Sequence, residues 1–256
     1  MKILLTNDDG IYAKGIEVLY EHLCNDFEVV VVAPETEQSA VGHSITLTDP
    51  LRVTNVDRNG AFFGKAVKGT PADCVKLAIN ELMDSPPELV VSGINLGANV
   101  GINVIYSGTV SAATEGAILG IPAIAVSINT FHDPDFEPAA RFACLLARQV
   151  QEYGLPPHTS LNVNVPAIPG DRIKGVRVTR QGITRFVEKF DRRVDPRENV
   201  YYWQCGSTPP LTEDGDTDAC ALAMDYISVT PIHHDLTNYD FLESMRNWSF
   251  PEIADE

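Results

Sequence analysis

Ile3-Leu4-Leu5-Thr6-Asn7-Asp8-Asp9-Gly10 decides the fold: a short apolar run that ends on a polar turn with two adjacent carboxylates. Such a run reads as a buried strand, and buried strands belong to parallel sheets covered on both faces. Ligands of parallel α/β sheets bind outside the carboxyl ends of the strands, so Asp8 and Asp9 face the expected crevice. Two adjacent negative charges call for a positive partner, and carboxylate oxygens suit a hard divalent cation. Both can reach one ion only if the strand has already ended, because successive strand side chains face opposite ways. Gly10 makes that turn feasible. The same residues also suit an ordinary Asp-Gly turn, with Asp8 capping the next helix.

Outward from this stretch, strand and helix patterns alternate. Ile16 to Cys24 carries Ile16, Leu19, Tyr20 and Leu23 on one helical face, and Phe27 to Ala33 is a second buried strand ended by Pro34. This βαβ order predicts an α/β fold with a mostly parallel sheet. Ser44 to Thr48 and Leu51 to Val56, around Asp49-Pro50, read as a hairpin outside the parallel core. Thr70-Pro71 opens a helix that ends before Pro86-Pro87, and Glu88 to Ser92 is the next strand. Ser107-Gly108-Thr109 precedes a small-residue helix over Val110 to Leu119, followed by strands at Pro122 to Ser127 and Leu161 to Val165 with a helix between them. From Gly175 to Gln204, strand-like pieces flank a charged centre at Glu188 to Glu198 and suggest a projecting hairpin. Asp225 to Thr230 reads as a last core strand. The polar tail from His233 to Glu256, with Phe241, Leu242, Trp248 and Phe250, suits docking on another subunit or disorder.

Composition narrows the function. The 256 residues suit one large domain with appended pieces. With 19 basic and 35 acidic residues, a formal charge of −16 argues against a nucleic-acid polymer as partner, although a small phosphorylated ligand can still bind through a metal and backbone N–H groups. Five cysteines without a C-x-x-C pair do not form a disulfide framework. No run is long and apolar enough for a signal h-region or a membrane helix, so the expectation is a soluble, cytoplasmic protein.

Further candidates lie at the ends of the other strands. Ser39 sits in the loop after the second strand, where its hydroxyl oxygen suits a cation, as it would suit plain solvation. Asn95 follows a buried strand among glycines, and its amide oxygen is a hard ligand, though an asparagine in a left-handed turn has the same surroundings. Ser107-Gly108-Thr109 offers N–H groups and the positive end of a helix to an anion, or a simple cap. His43 lacks an identifiable partner. Gly93, Gly97 and Gly101 do not match a dinucleotide-binding G-x-G-x-x-G, and adjacent acids do not match the D-x-D of a phosphoryl-aspartate enzyme.

These segments together resemble the SurE family of nucleotide phosphatases. The resemblance rests on Leu5-Thr6-Asn7-Asp8-Asp9-Gly10, Ala33-Pro34 with Gln38-Ser39-Ala40, Gly69-Thr70-Pro71-Ala72-Asp73-Cys74, Ser92 to Asn99 and Tyr106 to Ala113, in that order along nearly the whole chain. It implies a Rossmann-like core, a projecting β-hairpin and a C-terminal segment exchanged between subunits of a homodimer or homotetramer. It implies one divalent metal ion, Mg2+ or Mn2+, held by Asp8, Asp9, Ser39 and Asn95. Phosphate would be held by Asn95, Asn99, Ser107, Gly108 and Thr109. The implied activity is hydrolysis of nucleoside 5′-monophosphates, often also of 3′-monophosphates and short polyphosphate. Asp8 would orient or deprotonate the water, or attack the phosphorus itself. A non-catalytic nucleotide sensor would use the same cradle without turnover. Ala40 departs from the glycine of many relatives.

Overall fold

The computed structural model describes residues 1–132, 134–184, 187–207 and 215–250. In chain order the strands are β1 (Lys2–Thr6), β2 (Glu28–Pro34), β3 (Val53–Arg58), β4 (Ala61–Val67), β5 (Leu89–Leu96), β6 (Ala123–Ile128), β7 (Thr159–Val165), β8 (Val176–Val178), β9 (Val187–Val194), β10 (Val200–Ser207) and β11 (Ile227–His233). The α-helices are α1 (Lys14–Leu23), α2 (Pro71–Leu77), α3 (Gly108–Ile118), α4 (Glu137–Tyr153), α5 (Asp218–Ala223) and α6 (Tyr239–Met245). Nine strands form one sheet in the order β3-β4-β2-β1-β5-β6-β7-β11-β8. The central run β4-β2-β1-β5-β6-β7 is parallel throughout. β3 pairs antiparallel with β4 at one edge, and β11 pairs antiparallel with β7 near the other.

Alternation along the strands builds two apolar layers. Ile3, Leu5, Leu89 and Val91 pack with α1 and α4, whereas Leu4, Val32 and Val90 pack with α2 and α3. α3 is made of small residues because it lies close to the sheet: a Cβ on Gly116 would stand 2.8 Å from a Val90 methyl. α2 begins as the sequence predicts. Thr70 accepts from the Asp73 N–H, and Asp73 accepts from the Thr70 N–H, a reciprocal cap that contributes about 1 kcal/mol.

Two sequence expectations are corrected. Ser44 to Thr48 is not a strand; the hairpin is β3–β4, turned at Asn59-Gly60 and placed in the main sheet beside β2. Both turn residues have positive φ (51° and 79°), the conformation that Asn-Gly supplies in a two-residue hairpin. The expected hairpin of residues 175–204 also shifts. Val176–Val178 pairs with β11 in the main sheet, and the separate two-stranded ribbon is β9–β10. β9 is exposed along its whole length, so it needs no apolar alternation and its charges remain solvated. Residues 185 and 186, inside that expected hairpin, lie outside the described residues. In the tail, α6 starts at Asn238, whose side chain accepts from the Phe241 N–H, and Trp248 meets the rings of Phe241 and Phe250. Residues 251–256 of the expected C-terminal arm lie outside the described residues. Among the described residues no helix is long and apolar enough to cross a membrane.

Candidate active site

β1 ends at Thr6, so the strand has stopped before Asp8 and Asp9. The turn is tied by the Asn7 amide nitrogen, which donates to the Gly10 carbonyl at 2.9 Å, and by the Ala13 N–H, which donates to the same oxygen at 3.0 Å. Gly10 has φ +94°, and a Cβ there would stand 3.2 Å from the Thr36 backbone. The N-cap of α1 is Ala13, with no side-chain cap, so neither carboxylate performs that task.

Asp8 is buried, and its carboxylate lies at the N-terminus of α3. The Thr109 hydroxyl donates to Asp8 Oδ1 at 2.5 Å, and the Thr109 backbone N–H bonds to the same carboxylate. A Cβ on Gly108 would meet the Asp8 Cβ at 2.8 Å, so glycine is what lets the helix end approach this closely. Burial pushes the Asp8 carboxyl up, against the lowering effect of the Thr109 bonds. Burial, followed by the charge of Asp8, pushes Asp9 up to about 7, and the Leu96 N–H at 3.3 Å opposes this only partly. Glu37 adds negative charge felt by both. No sequence pattern singles out Glu37, although it stands two residues from Ser39.

Pro34 ends β2, and the following loop is fastened to the turn by the Gln38 N–H, which donates to the Asp8 carbonyl at 2.8 Å. Ser39 is brought to the cavity and hydrogen-bonds the Glu37 carboxylate through its hydroxyl. Ala40 has φ +54°, which accounts for glycine being suited to this position. At the end of β5, the Asn95 amide nitrogen donates to the Gly97 carbonyl at 2.7 Å. A carbonyl can only accept, so the Asn95 amide oxygen is the atom left for a ligand. Ser107 caps α3 by accepting from the Val110 N–H at 3.1 Å.

The carboxyl ends of the strands therefore bring Asp8, Ser39, Asn95, Asn99 and Ser107 to one cavity of about 260 Å3. Asp9 lies beside it on the Leu96 N–H, and Gly108 packs directly behind Asp8. The Thr109 hydroxyl and N–H bond to the Asp8 carboxylate.

Asn99 is fixed by residues that the sequence did not single out. Its N–H donates to Asn164 Oδ1 at 2.8 Å, and its carbonyl accepts from the side chains of Asn162 (2.8 Å) and Asn164 (3.0 Å). Its own amide nitrogen donates to Ser127 at 2.9 Å. Asn162 and Asn164 alternate on β7 with Val163 and Val165, which belong to the opposite, apolar layer. The polar layer continues through Ser228 and Thr230 of β11, both hydrogen-bonded to Thr179 at 2.7 Å. Asp218, buried at the start of α5, accepts from the N–H groups of Gly101, Gly182 and Ala219 and so ties three segments together.

His43 has a partner after all. Its Nε2 lies 2.7 Å from the buried Glu115 of α3, which also holds Lys76 of α2 at 3.0 Å. Burial alone would raise the Glu115 carboxyl, yet the bonds from His43 and Lys76 bring it below its ordinary value. This assigns His43 to anchoring the 35–48 loop.

The donor set fits a divalent cation. Two carboxylates match the charge of the ion, and the remaining candidates are neutral hard oxygens. Burial above all raises the carboxyls of Asp8 and Asp9, and a bound cation would favour their charged forms. The neighbouring Asn7 amide oxygen is buried without a hydrogen-bond partner among the described residues.

A Rossmann-like α/β sheet whose strand ends gather hard oxygen donors around a helix N-terminus defines the class. Within it, the chain belongs to the SurE family: the family described as Survival protein SurE matches residues 3–188. Relatives each named 5′-nucleotidase SurE include that of Syntrophobacter fumaroxidans, 62% identical over 97% of this chain and 100% of the relative. Another, from Syntrophus aciditrophicus, is 56% identical over 96% of this chain and 93% of the relative. The crystal structure of the SurE protein from Aquifex aeolicus superposes with a TM-score of 0.84 at 42% identity, covering 96% of this chain and 98% of that one.

Proposed function

We propose that this chain hydrolyses nucleoside 5′-monophosphates to nucleoside and inorganic phosphate, using one divalent cation per subunit, Mg2+ or Mn2+. Asp8, Asp9, Ser39 and Asn95 would hold the ion. Nucleoside 3′-monophosphates, short polyphosphate, a homodimer or homotetramer and a cytoplasmic setting belong to the same proposal. The observation that carries it is the buried Asp8 with Asp9 beside it at the carboxyl end of β1, facing the cavity that Ser39, Asn95, Asn99 and Ser107 also line. The names of the relatives supply the substrate class.

When bound, such a cation neutralises the pair, polarises the phosphoryl group and acidifies water. The chain's own residues do the rest. Thr109 bonds to Oδ1 of Asp8 and sets the plane of the carboxylate, which would orient or deprotonate the attacking water, or attack the phosphorus itself. Ser107 accepts from Val110 and keeps its own hydroxyl proton to donate to a phosphate oxygen. Asn99, held by Asn162 and Asn164, and the N-terminus of α3 at Gly108 stabilise charge on the non-bridging oxygens. Thr109 contributes through Asp8.

Inorganic phosphate release from a panel of nucleoside monophosphates, with Mn2+, Mg2+ or chelator, tests this. The parent should turn over with metal, and Asp8→Asn should lose roughly 100- to 10,000-fold in kcat. Release by the parent no faster than by the variant would leave a nucleotide-binding sensor as the remaining reading.

A further inference from the structure

The cavity above the carboxylates is polar at its base and aromatic at its rim. Tyr106 closes the short helical turn Gly101–Tyr106 ahead of α3, and Phe131 follows β6; both line the cavity from different segments. Phe131 is 80% exposed and Tyr106 56% exposed. Phe131 nevertheless has a fixed seat. A Cβ on Gly97 would stand 2.5 Å from its Cε1, so the ring rests directly on the Gly97 backbone, midway along the chain between Asn95 and Asn99. Gly97 has φ +100°, so both the loop conformation and the ring above it demand glycine. An aromatic ring seated by one edge beside a phosphate-sized polar site, with most of its surface open, is a stacking surface awaiting a flat partner.

Charge points the same way. A chain of formal charge −16 repels a phosphorylated ligand at long range, so attraction from the uncharged part of that ligand adds to what the cation and the helix N-terminus supply. We propose that Phe131 and Tyr106 form the nucleoside subsite, with the base stacked on Phe131 while the phosphate lies over Asp8, Asn99 and Ser107. This rests on the nucleotide phosphatase reading and adds the specificity element to it. Every base has a π-face, so stacking discriminates weakly. The amide of Asn103 is the polar group that the rim adds. The common bases should therefore differ in kcat/KM by no more than about tenfold, an affinity difference that a single contact can account for.

The test uses the full chain with Mn2+ and compares adenosine 5′-monophosphate with glycerol phosphate, which has the phosphate but no base. Phe131→Ala should raise KM for the nucleotide roughly 5- to 100-fold, the span of one lost base stack, with kcat changed less than about threefold. Tyr106→Ala should act in the same direction, Phe131→Tyr should retain the parent KM, and constants for glycerol phosphate should not move. Equal effects on both substrates, or an unchanged nucleotide KM, overturn the subsite while leaving the phosphatase reading intact. Calorimetric binding of adenosine 5′-monophosphate separates the two ideas. If the parent turns over neither substrate yet binds the nucleotide in a Phe131-dependent way, the subsite stands and the phosphatase reading fails; if Phe131→Ala binds it as the parent does, the subsite falls.

Discussion

Replacing Asp9 by asparagine should make the metal-free protein more stable at neutral pH and less dependent on pH. The folded carboxyl of Asp9 lies at about 7 against an ordinary 3.8, because burial and then the charge of Asp8 disfavour ionisation. Between those values the folded state retains a proton that the unfolded chain has released. Stability of the chelated parent therefore falls as pH rises from about 4 to about 7, and the loss is complete above 7. About three pK units at 1.36 kcal/mol each set a ceiling of about 4 kcal/mol. Asp9 is not fully enclosed, and screening by solvent brings the expected figure to about 2 kcal/mol. Urea unfolding in chelator at pH 5 and pH 8 measures it. Taking the difference between parent and Asp9→Asn cancels the histidines and the carboxylates remote from the pair, and reads Asp9 together with its coupling to Asp8. The interval from pH 5 to pH 8 spans about two of the three pK units, so the variant should gain about 1 kcal/mol on the parent across it, and Mn2+ should stabilise the parent at pH 8 but not the variant. A parent-minus-variant difference that is the same at both pH values would refute the raised carboxyl of Asp9.

Three further outcomes follow from packing. Gly108→Ala should destabilise by about 1–3 kcal/mol and reduce phosphate release, because the new methyl would stand 2.8 Å from Asp8 Cβ and 3.2 Å from Pro71; wild-type activity in a stable variant would contradict the close approach of α3. Glu115→Ala should cost about 2 kcal/mol, below the loss for a fully buried pair because His43 and Lys76 are partly exposed. It should also speed proteolysis within residues 35–48, which an undisturbed loop would not show. Asp218→Ala should cost about 3 kcal/mol by leaving three N–H groups without their acceptor, a loss readable in urea unfolding and absent if water replaces the carboxylate.

The legibility of the chain followed where its signals reside. β1, α1 and β2 were readable because their apolar residues repeat with the period of the element that buries them. Thr70-Pro71 was readable because a cap is local chemistry. The carboxylate pair, Asn95 and the Ser107 cap stand at strand ends or helix starts, positions visible in one dimension. Asn59-Gly60 was an available hairpin signal, but the weak alternation before it drew the hairpin upstream. β9 could not be read from patterning, because a ribbon exposed on both faces imposes none. Asn162, Asn164 and Asp218 depend on partners about 65 and 117 residues away, so no local spacing discloses them. Thr109 shows the same limit: its hydroxyl bonds to Asp8 through a contact spanning 101 residues.

The alternation of β7 has a consequence for folding fidelity. Its odd-numbered valines fill the apolar layer, and its even-numbered asparagines hold Asn99. A slip of one residue would press amides into the hydrocarbon and turn valines toward the Asn99 backbone, losing on both faces at once. A correctly aligned β7 and a correctly held Asn99 are thus the same event. A state in which the sheet is assembled with β7 out of register loses this wall of the cavity as well, so quality control of the fold doubles as quality control of the site.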